Sequence, residues 1–284
     1  MIALDDHLQS AWQGKDIFAL LAEMPGQEFR NKDGRRTFRC HIDGRPYFVK
    51  YHGGVGWRRI IKELGRLRLP VISAANEWRA IRRLEELGIA TMRLAGRGQQ
   101  GINPARRRSF VITAELENTC SLEDYCASWR QAAPPPALKR ALITEVARVA
   151  RTLHDNGINH RDFYLCHFLL DMSRSIVEMT ARGPRLYLID LHRVQSRRKL
   201  PRRWRIKDIA GLYFSSLGIG LTRRDCLRFM RQYRDTPLRR TLAEDRVFWS
   251  TVRKKGRAGY REFARKVPHA ADPLVLEEIE RAEP

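Results

Sequence analysis

The sequence predicts an α+β chain of two lobes, a small β-rich lobe followed by a mainly helical one. Three observations carry the prediction. Strand-like segments and one helix come first, helical periodicity fills most of the remaining chain, and two short segments in the second half present aspartates in settings that suit chemistry. A chain of 284 residues can be one large domain or a two-lobed unit, because domains usually run about 100–200 residues. The expected division is residues 1–116, residues 117–245 and a tail helix over 246–284, all within one domain, with the lobe boundary near Ala114–Ser121.

Phe38, Cys40 and Ile42 alternate with Arg39 and His41, Asp43-Gly44 supplies a turn, and Tyr47 to Tyr51 resumes extended structure, which together make a hairpin. A basic, glycine-flanked stretch follows from Gly53 to Leu69. Ser73 to Leu87 then keeps helical spacing through Ala74, Trp78, Ile81 and Leu84, and Gly88 ends it. Ser109 to Thr113 is a buried strand. After Pro134-Pro135-Pro136, Leu138, Leu142, Val146, Val149 and Leu153 form one face of a long helix that Gly157 stops. Leu186 to Ile189 is strand-like, a helix is expected from about Lys207 to Leu217, and Thr222 caps another running to about Tyr233. The last forty or so residues are charged and weakly periodic, as in a loosely attached tail helix.

Hydrophobic and charged contents of 43% and 30% are those of an ordinary soluble protein, but 54 Lys and Arg against 32 acids leave a net charge of +22. That excess calls for a polyanionic partner: nucleic acid, an anionic membrane face or a phosphorylated substrate. No nucleic-acid motif is present, so nucleic acid is not expected. An acidic partner protein is a further candidate for the basic surface. Cys40, Cys120, Cys126, Cys166 and Cys226 are widely spaced without a C-x-x-C pair, which implies neither zinc nor a disulfide framework and fits a reducing compartment. The N-terminus lacks the basic and apolar regions of a secretory signal, and no apolar run reaches the roughly 18 residues of a membrane span. A cytoplasmic protein with peripheral membrane contact is expected.

His160-Arg161-Asp162 and Leu186 to Asp190 carry the chemistry. A loop aspartate after His-Arg, then an aspartate ending a short apolar run, is how protein-kinase-like folds arrange phosphoryl transfer. Asp162 would take the proton of the attacking hydroxyl, and Asp190 would hold Mg²⁺ on the phosphates of ATP. Upstream, Lys50 lies on a strand, where it can neutralise the inner phosphates, and Glu77 on the next helix can hold it. Each alone is more often a surface residue or a turn; their order makes the set. Where a protein kinase carries asparagine, this chain has His167, a poor Mg²⁺ ligand and a doubtful second metal holder. Asp190 is followed by Leu191-His192 rather than glycine. The segment Glu28 to Thr37 has only Gly34, so Arg35 and Arg36 are candidates to contact phosphate with their side chains. Asp208 is read as a structural brace for the loop. Between Leu191 and Lys207 lie eight cations and no acid; Arg193, Arg197, Arg198, Arg202 and Arg203 are candidates for binding an anionic acceptor. The stretch from Trp57 to Arg68 is either an amphipathic helix lying on anionic lipid or a solvated helix.

His160 to Leu170, Ile189 to Arg193, Pro201 to Arg205, Gly211 to Ser216 and Ser121 to Cys126 resemble the lipopolysaccharide core heptose(I) kinases of Gram-negative bacteria, over about Trp12 to Tyr233. His167 and Leu191-His192 agree with that family. The resemblance implies a protein-kinase-like fold and transfer of the ATP γ-phosphate to O4 of the first inner-core heptose. It places the base at Asp162, the metal ligand at Asp190 and the nucleotide lysine and its partner at Lys50 and Glu77. The acceptor, heptose with Kdo and lipid A, is densely anionic and would be met at the inner-membrane face, which suits the arginine-rich segment. The alternatives are a related kinase acting on another anionic glycan or a protein hydroxyl, and a catalytically weak pseudokinase that binds a polyanion.

Overall fold

Six strands form an antiparallel sheet: β1 (Ile2–Leu4), β2 (Gln27–Lys32), β3 (Arg35–Ile42), β4 (Arg45–His52), β5 (Leu94–Gln100) and β6 (Arg108–Ala114), in the order β1-β5-β6-β4-β3-β2. The computed structural model describes residues 1–32, 34–65 and 73–281. Two units emerge from its contacts, Met1–Glu117 with Asp190–Val194, and Asn118–Ile189 with Gln195–Pro284.

The strand period of two decides the first unit's packing. Phe38, Cys40 and Ile42 of β3 and Tyr47, Val49 and Tyr51 of β4 are buried together beneath Leu8, Trp12, Phe18 and Leu21. Those four come from α1 (Asp6–Ala11) and its neighbour, and α2 (Ile17–Glu23). Asp5 and Asp16 start these helices by accepting backbone N–H bonds from the first turn. The alternate residues of β4, Phe48, Lys50 and His52, therefore take the other side of the strand. Helix α4 (Ala75–Glu86) packs against β5 and β6 and buries Trp78, Ile81 and Leu84, as its spacing predicts. It also buries Glu77. The basic stretch after β4 forms α3 (Trp57–Gly65), tied to the rest by a small cluster of Val55, Ile60 and Ala105. The remainder of that stretch, to Arg68 and Leu69, lies outside the described residues.

The second unit is mainly helical. Helix α5 (Leu122–Tyr125) follows β7 (Thr119–Ser121), and α6 (Pro136–Asp155) buries Leu138, Leu142, Val146, Val149 and Leu153 on the expected face. Gly157 ends the turn after α6 at φ +75°, and a Cβ there would overlap the carbonyl oxygen of Arg197. Only glycine lets β8 (Ile158–Asn159) approach β11 (Gln195–Ser196) so closely. A second small sheet runs β10-β9-β7, with β9 at Phe168–Asp171 and β10 at Leu186–Leu188. Between them, α7 (Ile176–Arg182) starts with a Ser175–Glu178 capping box.

The structure corrects two expectations. Helix α8 spans Arg202–Ser215, starting after Pro201 instead of near Lys207. Arginine is a good helix former, and the charge run hides a helix start that Pro201 marks. Helix α9 (Arg223–Arg234) does begin at Thr222, with Asp225 completing a capping box. After α10 (Leu238–Glu244), the tail is not loosely attached. Helix α11 (Arg246–Lys266) buries Phe248, Trp249, Val252 and Tyr260 and packs along α8, where Gly256 allows close approach to Tyr213 and the Ala210 carbonyl. Helix α12 (Pro273–Arg281) adds Val275 and Ile279 to a cluster with Tyr260. The frequent Lys and Arg along α11 mask its apolar face in the sequence. The fold is α+β and protein-kinase-like, a β-rich N-lobe and a mainly helical C-lobe.

Candidate active site

In the first unit, β4 places Lys50 in register with Thr37 and Val111, in the middle of the sheet. Its Nζ donates to Glu77 Oε1 at 2.6 Å and lies 3.7 Å from Asp190 Oδ1. Burial is the largest influence on the ammonium and opposes its charge, but Glu77 and Asp190 outweigh it and hold the Lys50 pKa above its ordinary value. The lysine is therefore a fixed cation. Asp190 adopts the left-handed conformation (φ 60°, ψ 51°), which aspartate tolerates better than most residues. Its Oδ1 is also 2.5 Å from His192 Nδ1.

Asn76, next to Glu77 on α4, donates both amide hydrogens, to the carbonyls of His192 (2.8 Å) and Val194 (2.9 Å). One helix thus holds the lysine through Glu77 and the Asp190 segment through Asn76. His52, two residues beyond Lys50, is buried; desolvation first, then Arg35, Lys50 and further cations, push its pKa down to about 3, so it is neutral at physiological pH. Arg36 is committed elsewhere: it pairs with Glu28 at 2.6 Å, donates to the Met24 carbonyl at 2.8 Å and covers the Phe38 ring. These contacts withdraw it from the phosphate-binding candidates. Arg35 opens β3 in register with His52 and stays a candidate. Arg193 belongs to this unit, in the short turn Leu191–Arg193.

In the second unit, the loop bearing Asp162 is braced from below by a buried carboxylate. Asp208 of α8 accepts the backbone N–H groups of His160 (2.7 Å) and Arg161 (2.9 Å). His154 Nε2 is 3.4 Å from the same carboxylate, while its Nδ1 meets the Tyr233 hydroxyl at 2.7 Å. Burial pushes the His154 pKa down, so it serves as a neutral hydrogen-bonding link. Holding the loop this tightly puts Arg161 at φ +78°, uncommon for a non-glycine residue. His160 Nε2 donates to the Ile189 carbonyl at 2.9 Å. His167 Nδ1 lies 2.6 Å from the Asp162 carbonyl and must carry the proton to bond there. That bond makes His167 a brace of the Asp162 loop; a metal would have to bind its other nitrogen, Nε2. Among the described residues, no three His, Cys, Asp or Glu side chains gather as a metal cage.

The structure brings Lys50, Glu77 and Asp190 together and gives Asp162 a rigid seat. Of the basic segment, Arg198, Arg202 and Arg203 are exposed, whereas Arg197 is half-buried and donates to Asn159 and Gln195, each at 2.6 Å. Arg205 is spent on Asp155 and the His154 carbonyl. Sequence reasoning passed over Asn76, His52 and Trp204. Asn76 carried one faint signal, a polar amide beside the glutamate of an amphipathic helix; the other two carried none.

The sequence profile of the lipopolysaccharide kinase (Kdo/WaaP) family matches residues 21–233. The lipopolysaccharide core heptose(I) kinase WaaP of Pseudomonas aeruginosa is 46% identical over 259 residues, 91% of this chain and 96% of the relative. The protein of the same name from Escherichia coli K12 is 49% identical over 245 residues, covering 86% and 91%. A solved structure, WaaP in complex with acyl carrier protein, superposes with a TM-score of 0.77 at 43% identity over 90% of this chain and 98% of that one.

Proposed function

The chain belongs to the lipopolysaccharide kinase (Kdo/WaaP) family and is a phosphotransferase with an alcohol acceptor, and from that premise we propose that it transfers the γ-phosphoryl group of ATP to O4 of the first heptose of the lipopolysaccharide inner core. The observation that carries the proposal is the contact of Lys50 with both Glu77 and Asp190 in one unit. Such transfer relies on positioning and on neutralising phosphate charge more than on covalent chemistry. Lys50 supplies a permanent positive charge for the inner phosphates, and Glu77 keeps its stem aimed. Asp190 fits a hard divalent cation: it offers a carboxylate oxygen, and Mg²⁺ shares its site with phosphates and water instead of demanding a protein cage. When bound, Mg²⁺ neutralises charge on the transferred phosphoryl group. His192 holds the Asp190 carboxylate, and Asn76 holds the backbone that follows it.

Asp162 orients the acceptor hydroxyl and receives its proton, with Asp208 and His167 holding the loop so that the carboxylate need not reorganise. Arg193, Arg197, Arg198, Arg202 and Arg203 favour an acceptor dense in carboxylate and phosphate. The lobe division at about residue 117 leaves Lys50 and Glu77 in the first lobe and Asp162, Arg197, Arg198, Arg202 and Arg203 in the second, while Asp190 and Arg193 group with the first. We place the enzyme at the cytoplasmic face of the inner membrane as a peripheral protein. No described helix is long and apolar enough to cross a membrane. Helix α3 exposes Trp57, Ile61 and Leu64 at helical spacing beside Arg58 and Lys62. The neighbour's complex with acyl carrier protein extends the proposal to a protein partner of that kind for this basic chain.

The test is phosphate transfer from labelled ATP to lipopolysaccharide lacking inner-core phosphate. Wild type should label the heptose at O4. Asp162→Asn and Asp190→Ala should stay folded and lower kcat by a factor on the order of 10²–10⁴. Labelling of generic protein in preference to the glycolipid, or near wild-type turnover in either variant, would overturn the assignment.

A further inference from the structure

Four cations of the second unit converge on one indole. The guanidinium carbons of Arg161, Arg197 and Arg203 lie 5.7, 5.4 and 5.5 Å from the centre of the Trp204 ring, and Lys207 Nζ lies 5.7 Å from it. Each is drawn to the electron-rich ring, and like charges gathered around one side chain repel one another. The arrangement is built and not accidental. Arg161 comes from the loop that Asp208 pins in the left-handed conformation. Arg197 is fixed by its backbone N–H bond to the Gly157 carbonyl (2.9 Å) and by two uncharged oxygens, those of Asn159 and Gln195.

The same cluster has donors to spare. The Trp204 indole N–H is buried with no acceptor among the described residues, and so is the Asn159 amide nitrogen. Asn159 is fully buried, and its bond from Arg197 fixes which end is oxygen, so the surplus group is a donor. Buried donors of this kind are rare in folded proteins and call for an explanation. Positive charge together with surplus N–H groups suits one ligand chemistry, a compact oxyanion that only accepts hydrogen bonds.

We propose that Arg161, Arg197, Arg203, Lys207 and the Trp204 indole form an oxyanion subsite for the acceptor. It takes a carboxylate or phosphate group that the acceptor carries near the sugar to be phosphorylated. The inference rests on the acceptor reading of the proposed function and narrows it. Arg161 directly precedes Asp162, so the group that binds the anion and the group that receives the hydroxyl proton share one pinned loop. Binding there registers the acceptor. Trp204 gathers the cations without carrying charge, and its indole N–H is one of the donors offered to the anion. Arg202, in contrast, lies over Phe248 and not over this ring.

Two measurements on the full chain test the subsite. First, acceptor KM is compared for intact, dephosphorylated and carboxyl-reduced inner-core oligosaccharide. Loss of the recognised anion should raise the wild-type KM by about tenfold or more, as for a lost charge-assisted hydrogen bond, and the arm that responds identifies the source. In Arg197→Gln with Lys207→Gln that penalty should vanish while the KM for ATP stays unchanged. A double variant that still shows the full penalty overturns the proposal. Second, the Trp204 indole N–H signal, assigned with Trp204→Phe, is followed by NMR during titration with inorganic phosphate and, separately, with free Kdo. A saturable shift with either supports the subsite, and a signal that neither moves overturns it. A saturable shift without phosphate transfer to any heptose acceptor would defeat the acceptor reading and leave the oxyanion site standing.

Discussion

Removing Lys50 and removing Glu77 should have unequal effects, because the two partners differ in their access to water. The Glu77 side chain is 4% exposed and that of Lys50 is 26% exposed, with 2.6 Å between their charged atoms. Lys50→Ala leaves a carboxylate buried without its cation, which typically destabilises by about 3–5 kcal/mol. Glu77→Ala leaves the cation of a partly exposed side chain that still has Asp190 at 3.7 Å, so the loss should be about 1–2 kcal/mol. The double variant removes both charges and should lose clearly less than the sum of the singles. Urea midpoints of the three variants measure this, since a shift in midpoint at constant slope reports stability. In parallel, both single variants should raise the nucleotide KM, again non-additively, because the pair acts as a unit. Equal losses, a reversed order or strict additivity would mean that the buried pair is not what holds Lys50, and the nucleotide-site reading would fall with it.

Three further outcomes rest on particular contacts. His52 has a folded pKa of about 3 against an ordinary 6.5, so the folded state binds fewer protons than the unfolded one; its contribution is intact above pH 6.5 and fades as pH falls toward 3. At about 1.4 kcal/mol per pH unit, wild type should lose about 2 kcal/mol more than His52→Gln between pH 7.5 and 5, and identical pH slopes in urea titrations would refute this. Asn76→Asp keeps the shape of the side chain but replaces two donors to carbonyls with a repelling carboxylate, so it should lower kcat about tenfold or more and raise the Mg²⁺ requirement with a smaller change in acceptor KM; an unchanged Mg²⁺ dependence would show that the Asp190 segment does not need the staple. Replacing Trp57, Ile61 and Leu64 of α3 with Gln should lower partitioning onto phosphatidylglycerol vesicles by about tenfold or more without altering the thermal midpoint, and equal co-sedimentation of wild type and variant would remove α3 from the membrane reading.

Local pattern determined much of this protein. Alternation at 38–42 and 47–51 fixed the hairpin that carries Lys50, spacing through Trp78, Ile81 and Leu84 fixed the helix that carries Glu77, and the apolar run before Asp190 and the loop after Gly157 placed the two aspartates. Those signals are periods of two and 3.6 and turn chemistry, which residues a few positions apart impose on one another. The +22 charge calls for a polyanionic partner in the same direct way. Pattern could not supply the destination of side chains whose partners lie far along the chain. Arg36 looks like a phosphate ligand until Glu28 and the Met24 carbonyl claim it. His167 shows its bond to the Asp162 carbonyl, through Nδ1, only once the loop is folded. Asn76 reaches His192 and Val194 across 116 and 118 positions, and Trp204 gathers cations from its own helix and from two loops. A hydrogen bond or a charge pair is decided by distances of about 3–4 Å, and only the folded chain sets those distances between residues that the sequence keeps apart.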